Sequence, residues 1–342
     1  MESIFQINHP SLKEFLNLSG EPEFHAKQIW QGIYQNLYSD WDEFTTLSKD
    51  LRSTLKKTYS LNSLIPIITL NSPDKKTQKI LFHLSDGKPI ESVLMRSGRR
   101  ITLCLSTQSG CSMGCTFCAT GKMGLLRNLT SGEIIEQVIF FERLLKKSSL
   151  SLTNIVFMGM GEPFHNYENL KYALTFLKDA DGLNMGARRF TVSTIGLIPQ
   201  ILRFAQEFPQ VNLAISLHAP SNILRSSLVP MNKHFPLENL ISTCQEYIKL
   251  TNRRISFEYV LIEGINDSTK QAEELILLVK GLLCHINLIP LNPIEKSHGM
   301  SSTTNRIQAF YRTLSSGGIP TTIRKSQGAE IKAGCGQLAG KE

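Results

Sequence analysis

The chain has 342 residues, 41% of them hydrophobic, which suits one large globular domain plus a small one, or two to three average domains. Its formal net charge of +8 and pI of about 9.1 fit a nucleic-acid partner without requiring one. No apolar run approaches the ~18 residues of a membrane span, no segment resembles a signal peptide, and seven cysteines, an odd number, argue against a secreted disulfide framework, so we expect a cytoplasmic protein.

The first part of the chain changes its hydrophobic period near residue 65. Three stretches before that point have the i, i+3, i+4 spacing of amphipathic helices, namely Ser11–Leu18, Phe24–Tyr34 and Ser48–Thr58. Three strands with an Asp86-Gly87 turn follow, namely Ile65–Leu70, Gln78–Leu84 and Ile90–Met95. This pattern predicts an N-terminal helical accessory domain over residues 1–64 and a β extension over residues 65–96.

From residue 97 to residue 342 the pattern alternates between strands and helices. The strand candidates are Ile101–Ser106, Asn154–Met158, Phe190–Thr194, Val211–Leu217, Ile255–Leu261 and His285–Pro290, with Thr321–Arg324 after them. The helix candidates include one that begins with a capping box at Thr130 and Glu133, and Leu237–Leu250, Thr269–Leu283 and Asn305–Leu314. Six βα units imply an α/β fold, a partial (β/α)6 TIM-type barrel with its site at the carboxyl ends of the strands.

Three cysteines, Cys111, Cys115 and Cys118, lie within eight residues directly after the first barrel strand. Their offsets of four and three let one tight loop aim three thiolates at one point. A [4Fe–4S] cluster held by three cysteines keeps one iron open for another ligand. A closed zinc site normally needs four ligands, and no fourth Cys or His lies nearby downstream. The spacing alone therefore favours a cluster and leaves zinc as the alternative.

A glycine-rich segment, Gly159-Met160-Gly161-Glu162-Pro163, follows the second barrel strand. Two glycines let a backbone approach a ligand closely, and Glu162 can accept a hydrogen bond from an ammonium group. The alternative is a plain strand-to-helix turn. With the cysteine loop, this segment resembles the radical S-adenosylmethionine (SAM) superfamily, in which the open iron chelates SAM and an electron from the cluster splits its sulfonium.

Small polar residues occupy three later strand ends, at Ser193, at Ser216 with His218, and at Asn292. Each lies where a ligand of a barrel would touch it. Turn capping is the alternative for each position taken singly, and His218 alone is also compatible with a structural histidine.

Two isolated cysteines and one carboxylate complete the candidates. Cys104 lies within the first barrel strand, seven residues before Cys111. Cys335 lies between two glycines in a segment that we expect to be flexible and accessible, as a reactive thiol requires. Glu91 is by default a surface carboxylate, and the alternative is a general base near the cluster.

Over nearly its whole length the chain resembles the RlmN/Cfr family of radical SAM RNA methyltransferases. The matching segments are residues 24–30 (FHAKQIW), 103–111 (LCLSTQSGC), 157–163 (FMGMGEP), 213–220 (LAISLHAP), 229–232 (VPMN) and 335–338 (CGQL). The resemblance implies that Cys335 is methylated by one SAM and carries the methyl group to an adenine carbon, that Glu91 removes the ring proton, and that Cys104 releases the product. A Cys104–Cys335 disulfide would then remain for an outside reductant.

The resemblance also implies the cofactors and partners. One [4Fe–4S] cluster would be held by the cysteine loop, and two SAM molecules would be consumed per methylation. The implied SAM contacts are Gly161, Glu162, Ser193, Ser216, Leu217, His218 and Asn292. The implied substrates are carbon 2 of an adenosine in 23S rRNA and the adenosine beside the tRNA anticodon, with electrons from a donor of the flavodoxin or ferredoxin type. A monomer is expected.

Several alternatives stay open at this point. Methylation of carbon 8, the reaction of the antibiotic-resistance branch, is the alternative within the family. A zinc or iron–sulfur RNA-binding module, or an enzyme that makes a glycyl radical on a protein partner, would leave Cys335 without a role. Four basic pairs are candidate phosphate contacts, namely Arg99-Arg100, Arg188-Arg189, Arg253-Arg254 and Arg324-Lys325.

Overall fold

The computed structural model describes residues 1–294 and 299–341. Within these residues the helices are α1 (His9–Leu18), α2 (Phe24–Tyr34), α3 (Lys49–Thr58), α4 (Ala119–Met123), α5 (Ser131–Lys146), α6 (Tyr167–Lys178), α7 (Ile198–Glu207), α8 (Asn222–Leu228), α9 (Leu237–Thr251), α10 (Thr269–Val279) and α11 (Thr304–Ser316). The strands are β1 (Glu2–Ser3), β2 (Tyr59–Ser60), β3 (Ile65–Asn71), β4 (Thr77–His83), β5 (Pro89–Ser97), β6 (Arg100–Cys104), β7 (Gln108–Cys111), β8 (Gly124–Asn128), β9 (Asn154–Phe157), β10 (Phe190–Thr194), β11 (Asn212–Ser216), β12 (Ile255–Leu261), β13 (Cys284–Pro290) and β14 (Thr321–Ile323).

One large sheet organises the molecule, with strand order β14-β13-β12-β11-β10-β9-β6-β5-β4-β3. Seven neighbouring strands of this sheet pair in parallel, namely β6, β9, β10, β11, β12, β13 and β14. Each of the first six of these strands is followed in the chain by a helical connection. Because β14 and β3 are edges of this sheet rather than partners, the barrel stays open. The prediction of a partial parallel barrel of six βα units is confirmed.

The β extension continues the barrel sheet instead of forming a separate layer. β3, β4 and β5 pair antiparallel with one another, and β5 pairs antiparallel with β6. The register places Val93 opposite Cys104. Glu91 in β5 therefore lies close to the first barrel strand and its cysteine.

Helix boundaries agree with the sequence where capping residues define them. Thr130 accepts from the backbone N–H of Glu133, whose carboxylate accepts from Thr130 N–H, so α5 begins with the predicted capping box. The helix predicted over Thr269–Leu283 ends at Val279 instead. Lys280 leaves the helical region and Gly281 has a φ of 80°, so the apolar residues after Val279 belong to the turn into β13.

The N-terminal helices pack on the outside of the barrel helices α5 and α6. The rings of Trp30 and Tyr34 lie 4.9 and 4.8 Å from the ring of Phe176. The Arg143 guanidinium on α5 donates to the carbonyls of Leu37, Tyr38 and Leu61, which closes the end of this module against the barrel. Over the described ranges, no helix is both long and apolar enough to span a bilayer.

A buried carboxyl on α5 makes stability depend on pH. Burial raises the pKa of Glu142 from 4.5 to about 7, although Leu152 N–H donates to this carboxylate at 3.1 Å. Between these pH values the folded protein holds a proton that the unfolded chain has released, so stability falls as pH rises through this window. Urea unfolding at pH 5 and at pH 8 measures this dependence. From pH 5 to pH 8, the free energy of unfolding should fall by about 2 kcal/mol less in the Glu142→Gln variant than in the wild type. An unchanged fall would contradict this assignment.

Candidate active site

Two adjoining cavities occupy the interior of the open barrel. The larger has a volume of about 1190 Å³ and the smaller about 150 Å³. Both are lined by Cys118, Met158, Gly159, Glu258, Ile289, Arg324, Cys335 and Gly336. Cys335 therefore lies where the two cavities meet. The smaller one alone is below the usual size of a ligand pocket, and it reaches that size only together with the space it adjoins.

The cysteine loop forms one wall of the smaller cavity. β7 ends at Cys111 and pairs with β8, which turns the chain back beneath the loop. Cys111 and Cys115 are buried, Cys118 is half-buried, and all three line the cavity. Burial raises the pKa of the Cys111 thiol to about 12 and the pKa of the Cys115 thiol well above its ordinary value, with Cys118 and Cys111 adding to the Cys115 shift. The Cys111 and Cys115 thiols are therefore neutral unless a cation is bound beside them.

The three thiols fit an iron–sulfur cluster by their donor type and their shared cavity. All are free cysteines, and thiolates are the usual ligands of such clusters. Among the described residues, no three His, Cys, Asp or Glu side chains already converge as they would around one metal ion. Three thiolates suffice for a cluster that keeps one iron open, whereas a closed zinc site normally takes four ligands.

The glycines of the GMGEP segment serve packing within the protein. Gly161 has a φ of 100°, and a Cβ there would lie 2.5 Å from the Cβ of Gln108. A Cβ on Gly159 would lie 2.5 Å from the carbonyl oxygen of Leu105. Close packing within the protein thus gives a second reason for glycine at these two positions, besides the expected approach of a ligand. The absence of a side chain lets the segment pack against the end of β6 and the start of β7. Gly161 still lines the smaller cavity.

Glu162 is buried beside the cysteine loop. Its two oxygens accept from the backbone N–H groups of Phe164 and Ile195, both at 3.0 Å. Burial nevertheless raises the pKa of Glu162 to about 7. Each carboxylate oxygen can accept a second hydrogen bond, so Glu162 remains able to receive an ammonium donor.

Polar side chains at the ends of neighbouring strands also line the smaller cavity. The hydroxyls of Ser193 and Ser216 are 3.4 Å apart, and both residues line the smaller cavity with His218. His218 has a φ of 62°, and its Nδ1 accepts from Val260 N–H at 3.1 Å. Nε2 therefore carries the proton, and burial lowers the pKa to about 3, so His218 offers a neutral donor. Leu217 is buried and does not line this cavity; Arg225 Nε donates to its carbonyl.

The segment around Cys335 is tied down rather than loose, which corrects the expectation of a flexible chain end. Asn292 Nδ2 donates to the carbonyl of Cys335 at 3.0 Å, and Gln337 Nε2 donates to Pro293 at 2.9 Å. Ala119 N–H donates to the carbonyl of Gly336 at 2.7 Å. The Cys335 side chain itself is exposed, but only to the barrel interior that it lines. The segment is held in place because groups distant in sequence form hydrogen bonds with the backbone of Cys335 and its neighbours.

Glu91 is not a surface carboxylate, and it lines neither cavity. Its side chain is 1% exposed and pairs with Lys79 Nζ at 2.7 Å. The backbone N–H groups of Ala339 and Gly340 donate to its other oxygen at 2.7 and 3.0 Å. Lys79 also donates to the carbonyl of Lys332. The Lys79–Glu91 pair thus holds the chain on both sides of Cys335.

Cys104 and Cys335 line the same cavity, the larger of the two. It packs with Ala333 and Leu338, which flank Cys335, and both thiols are free. Burial raises the pKa of Cys104 to about 12, and the nearby Cys335 adds to the shift. The structure therefore brings the two isolated cysteines of the sequence into one chamber, with Cys104 in its protonated form.

The sequence reasoning missed Glu258, a carboxylate inside the barrel. Glu258 accepts from Asn287 Nδ2 at 2.8 Å and pairs with Arg324 at 3.3 Å, and it lines both cavities. The signal was a charged residue within the mostly apolar run of β12. Ser256, Glu258 and Val260 share the inward face of that strand, which the alternation of side chains predicts.

Arg324 and Glu258 act in opposite directions on the Cys335 thiol. Burial raises the pKa of Cys335, the Arg324 guanidinium lowers it, and Glu258 raises it. Arg324→Met should therefore slow alkylation of Cys335 by iodoacetamide at pH 8, whereas Glu258→Gln should accelerate it, because the thiolate is the reacting form. Mass spectrometry of the Cys335 peptide measures the rate. Lys325→Met is the matched control, and an equal effect of that variant would contradict the role of Arg324.

The open parallel barrel and the cysteine loop at its carboxyl end define a radical SAM protein. In agreement, the Radical SAM superfamily model matches residues 105–276. A second model, the ribosomal RNA large subunit methyltransferase N-terminal domain, matches residues 3–61. The chain belongs to the RlmN family of radical SAM RNA methyltransferases, and its cofactors are a [4Fe–4S] cluster and SAM.

Relatives and a solved structure match the whole chain. It is 45% identical over 342 residues to the "Probable dual-specificity RNA methyltransferase RlmN" of Geobacillus kaustophilus (strain HTA426), covering 100% of this chain and 93% of that protein. It is 44% identical over 341 residues to the protein of the same name from Staphylococcus aureus (strain JH9), with 100% and 93% coverage. A crystal structure of a radical SAM methyltransferase from Sphaerobacter thermophilus superposes with a TM-score of 0.97, 47% identity and full coverage of both chains.

Proposed function

We propose that this protein methylates carbon 2 of an adenosine in 23S rRNA and of the adenosine beside the tRNA anticodon. The dual-specificity RNA methyltransferases that it resembles over its whole length support an RNA substrate, as does its net charge of +8. The observation that carries the proposal is the position of Cys335 at the junction of two cavities, with Cys104 in one and the cysteine loop in the other.

The residues of the smaller cavity would hold the cofactors. Cys111, Cys115 and Cys118 would ligate the cluster, and the polar residues that share this cavity with them would contact SAM. The proposed contacts are Gly161, Glu162, Ser193, Ser216, His218 and Asn292 by side chain or backbone, with Leu217 behind them. The bound groups would supply a methyl group for Cys335, a radical that takes a hydrogen from that methyl group, and an acceptor for the single electron that the adenine adduct must give up.

The chain itself would carry and release the methyl group. The Cys335 thiolate accepts the methyl group, forming a sulfur–carbon bond, and later bonds through that carbon to the adenine ring. Glu91 accepts the ring proton. Cys104 then attacks the Cys335 sulfur, so that a sulfur–sulfur bond forms as the sulfur–carbon bond breaks. The departing carbon keeps the bonding electrons and takes up a proton, which makes it the methyl group of the released RNA. Because Cys104 starts protonated, its proton has to be removed within the chamber.

The role of Glu91 as a base requires this carboxylate to leave its present contacts. Glu91 is occupied by Lys79, Ala339 and Gly340, so it can accept a proton from adenine only after the C-terminal segment moves. That movement would also let Cys335 reach SAM, the adenine ring and Cys104 in turn. We further propose that residues 1–64 grip the RNA, that residues 65–96 link this module to the core at residues 97–342, and that a flavodoxin- or ferredoxin-type donor serves a cytoplasmic monomer.

The decisive experiment is anaerobic. Protein with a reconstituted cluster is incubated with SAM, a reductant and unmodified rRNA or tRNA, and the RNA is digested to nucleosides for mass spectrometry. 2-Methyladenosine is the expected product, and the RNA that contains it gives the specificity. 8-Methyladenosine would instead assign the carbon 8 reaction. Intact cluster and SAM cleavage without any methyladenosine would reject the proposed function.

A further inference from the structure

The four basic pairs of the sequence converge on the larger cavity. Each pair contributes at least one residue to its lining, and the six contributors are Arg100, Arg188, Arg253, Arg254, Arg324 and Lys325. Among the described residues of the lining, Glu258 is the sole carboxylate, and it is paired with Arg324. Residues that are far apart in the chain thus give one opening a strongly positive lining.

Four of the six positive residues, Arg100, Arg188, Arg253 and Arg254, lie at the amino ends of the strands, whereas Arg324 and Lys325 follow β14 at its carboxyl end. Arg188 precedes β10 by two residues, and Arg253 and Arg254 directly precede β12. The lining also includes Asn154 and Asn212, the first residues of β9 and β11. The cysteine loop and its neighbours occupy the carboxyl ends. The barrel interior is therefore open to a polar, cationic rim at the end opposite the proposed SAM site.

No carboxylate among the described residues neutralises the charges of the four amino-end arginines. Arg188 donates to the amide oxygen of Gln210, and Arg253 donates to that of Asn212. Neither these residues nor Arg100 and Arg254 form an ion pair with any described carboxylate. Arg253 Nε is in addition buried without a hydrogen-bond partner in the described structure. Unpaired guanidinium groups around an opening attract a polyanion and suit phosphate oxygens in particular.

We propose that the target nucleotide enters the barrel through this amino-end opening, with flanking phosphates on Arg100, Arg188, Arg253 and Arg254. The proposal rests on the RNA methyltransferase function and adds the route and the contacts. A volume of about 1190 Å³ accommodates an extruded nucleotide, whose base has to leave its stack to react. Cys335 lies between this chamber and the cysteine loop. It therefore accepts the methyl group on the side of the cysteine loop and transfers it to the nucleotide in the larger cavity.

The neighbouring arginines provide a matched comparison. Arg100 and Arg188 line the cavity, whereas Arg99 and Arg189 are also exposed and do not line it. An unmodified tRNA transcript should bind the Arg100→Ala/Arg188→Ala variant at least about tenfold more weakly, with a salt dependence shallower by about two counterions. The Arg99→Ala/Arg189→Ala variant removes the same charge and should retain near wild-type affinity. Equal losses in both variants would overturn the proposal.

A plug in the chamber tests the two-sided arrangement independently. Ser256 lines the larger cavity on β12, so the Ser256→Trp variant should prevent adenosine methylation while SAM still methylates Cys335, as read by intact-protein mass. Methylation of RNA at the wild-type rate would overturn the route, and loss of both reactions would overturn the separation of the two ends. If the wild type itself makes no methyladenosine, the proposed function fails, whereas the binding comparison still decides whether this opening holds RNA.

Discussion

Replacement of Cys335 by serine should end methyl transfer to RNA, lowering its rate by at least about 1,000-fold, while SAM cleavage continues. A hydroxyl is a far poorer nucleophile than a thiolate and cannot later be attacked at sulfur. The hydrogen bonds that hold this segment use the backbone of Cys335 and its neighbours, so the variant should keep its fold. The measurement is methyladenosine and deoxyadenosine formation in the same anaerobic assay.

Two further cysteine variants make the result specific. Cys104→Ala should leave the RNA covalently attached to Cys335, because the thiol that breaks the sulfur–carbon bond is missing, and a denaturing gel detects the adduct. Cys244→Ala, a change at a fully buried cysteine outside both cavities, should behave as the wild type does. Methyladenosine from the Cys335→Ser variant would exclude the proposed role of the thiol.

The sequence predicted the barrel because its signals are local. Each strand is a short apolar run bounded by polar residues, and the observed limits of strands such as Phe190–Thr194 and Ile255–Leu261 match those predicted. The end of the helix before β13 was missed because Leu282 and Leu283 extend an apolar pattern beyond Gly281, where the backbone cannot remain helical. Hydrophobic periodicity indicates what is buried and does not show where a helix ends.

The candidate site was predictable only where residues lie close in sequence. The cysteine loop is recognisable because its three cysteines lie within eight residues, whereas Glu91 accepts a hydrogen bond from Ala339, 248 residues away in the chain. Burial of such a carboxylate depends on the Lys79 partner that folding supplies, and no local pattern specifies that pair. The same holds for Asn292, which was expected to contact SAM and in this structure holds the Cys335 backbone. Tertiary hydrogen bonds decide these roles.

Breaking the buried Lys79–Glu91 pair should have the largest effect on stability. Both side chains are at least nine-tenths buried, so Glu91→Ala would leave the Lys79 ammonium without its counter-charge. We expect a loss of about 3 kcal/mol in the free energy of unfolding, since an unpaired buried charge is costly. The amides of Ala339 and Gly340 should also lose protection in hydrogen exchange, because their acceptor is gone. Unchanged exchange at both amides would show that Glu91 does not hold the segment.

The double variant Lys79→Met/Glu91→Gln separates the holding role of Glu91 from its proposed role as a base. Glutamine keeps an oxygen that can accept from Ala339 and Gly340, and methionine removes the charge that would otherwise be unpaired, so the variant should be more stable than Glu91→Ala. Hydrogen exchange of the segment should stay near wild type, and Cys335 should still be methylated. Because an amide cannot accept the ring proton, adenosine methylation should nevertheless be lost. Retained methylation with a protected segment would mean that Glu91 only positions the chain that carries Cys335.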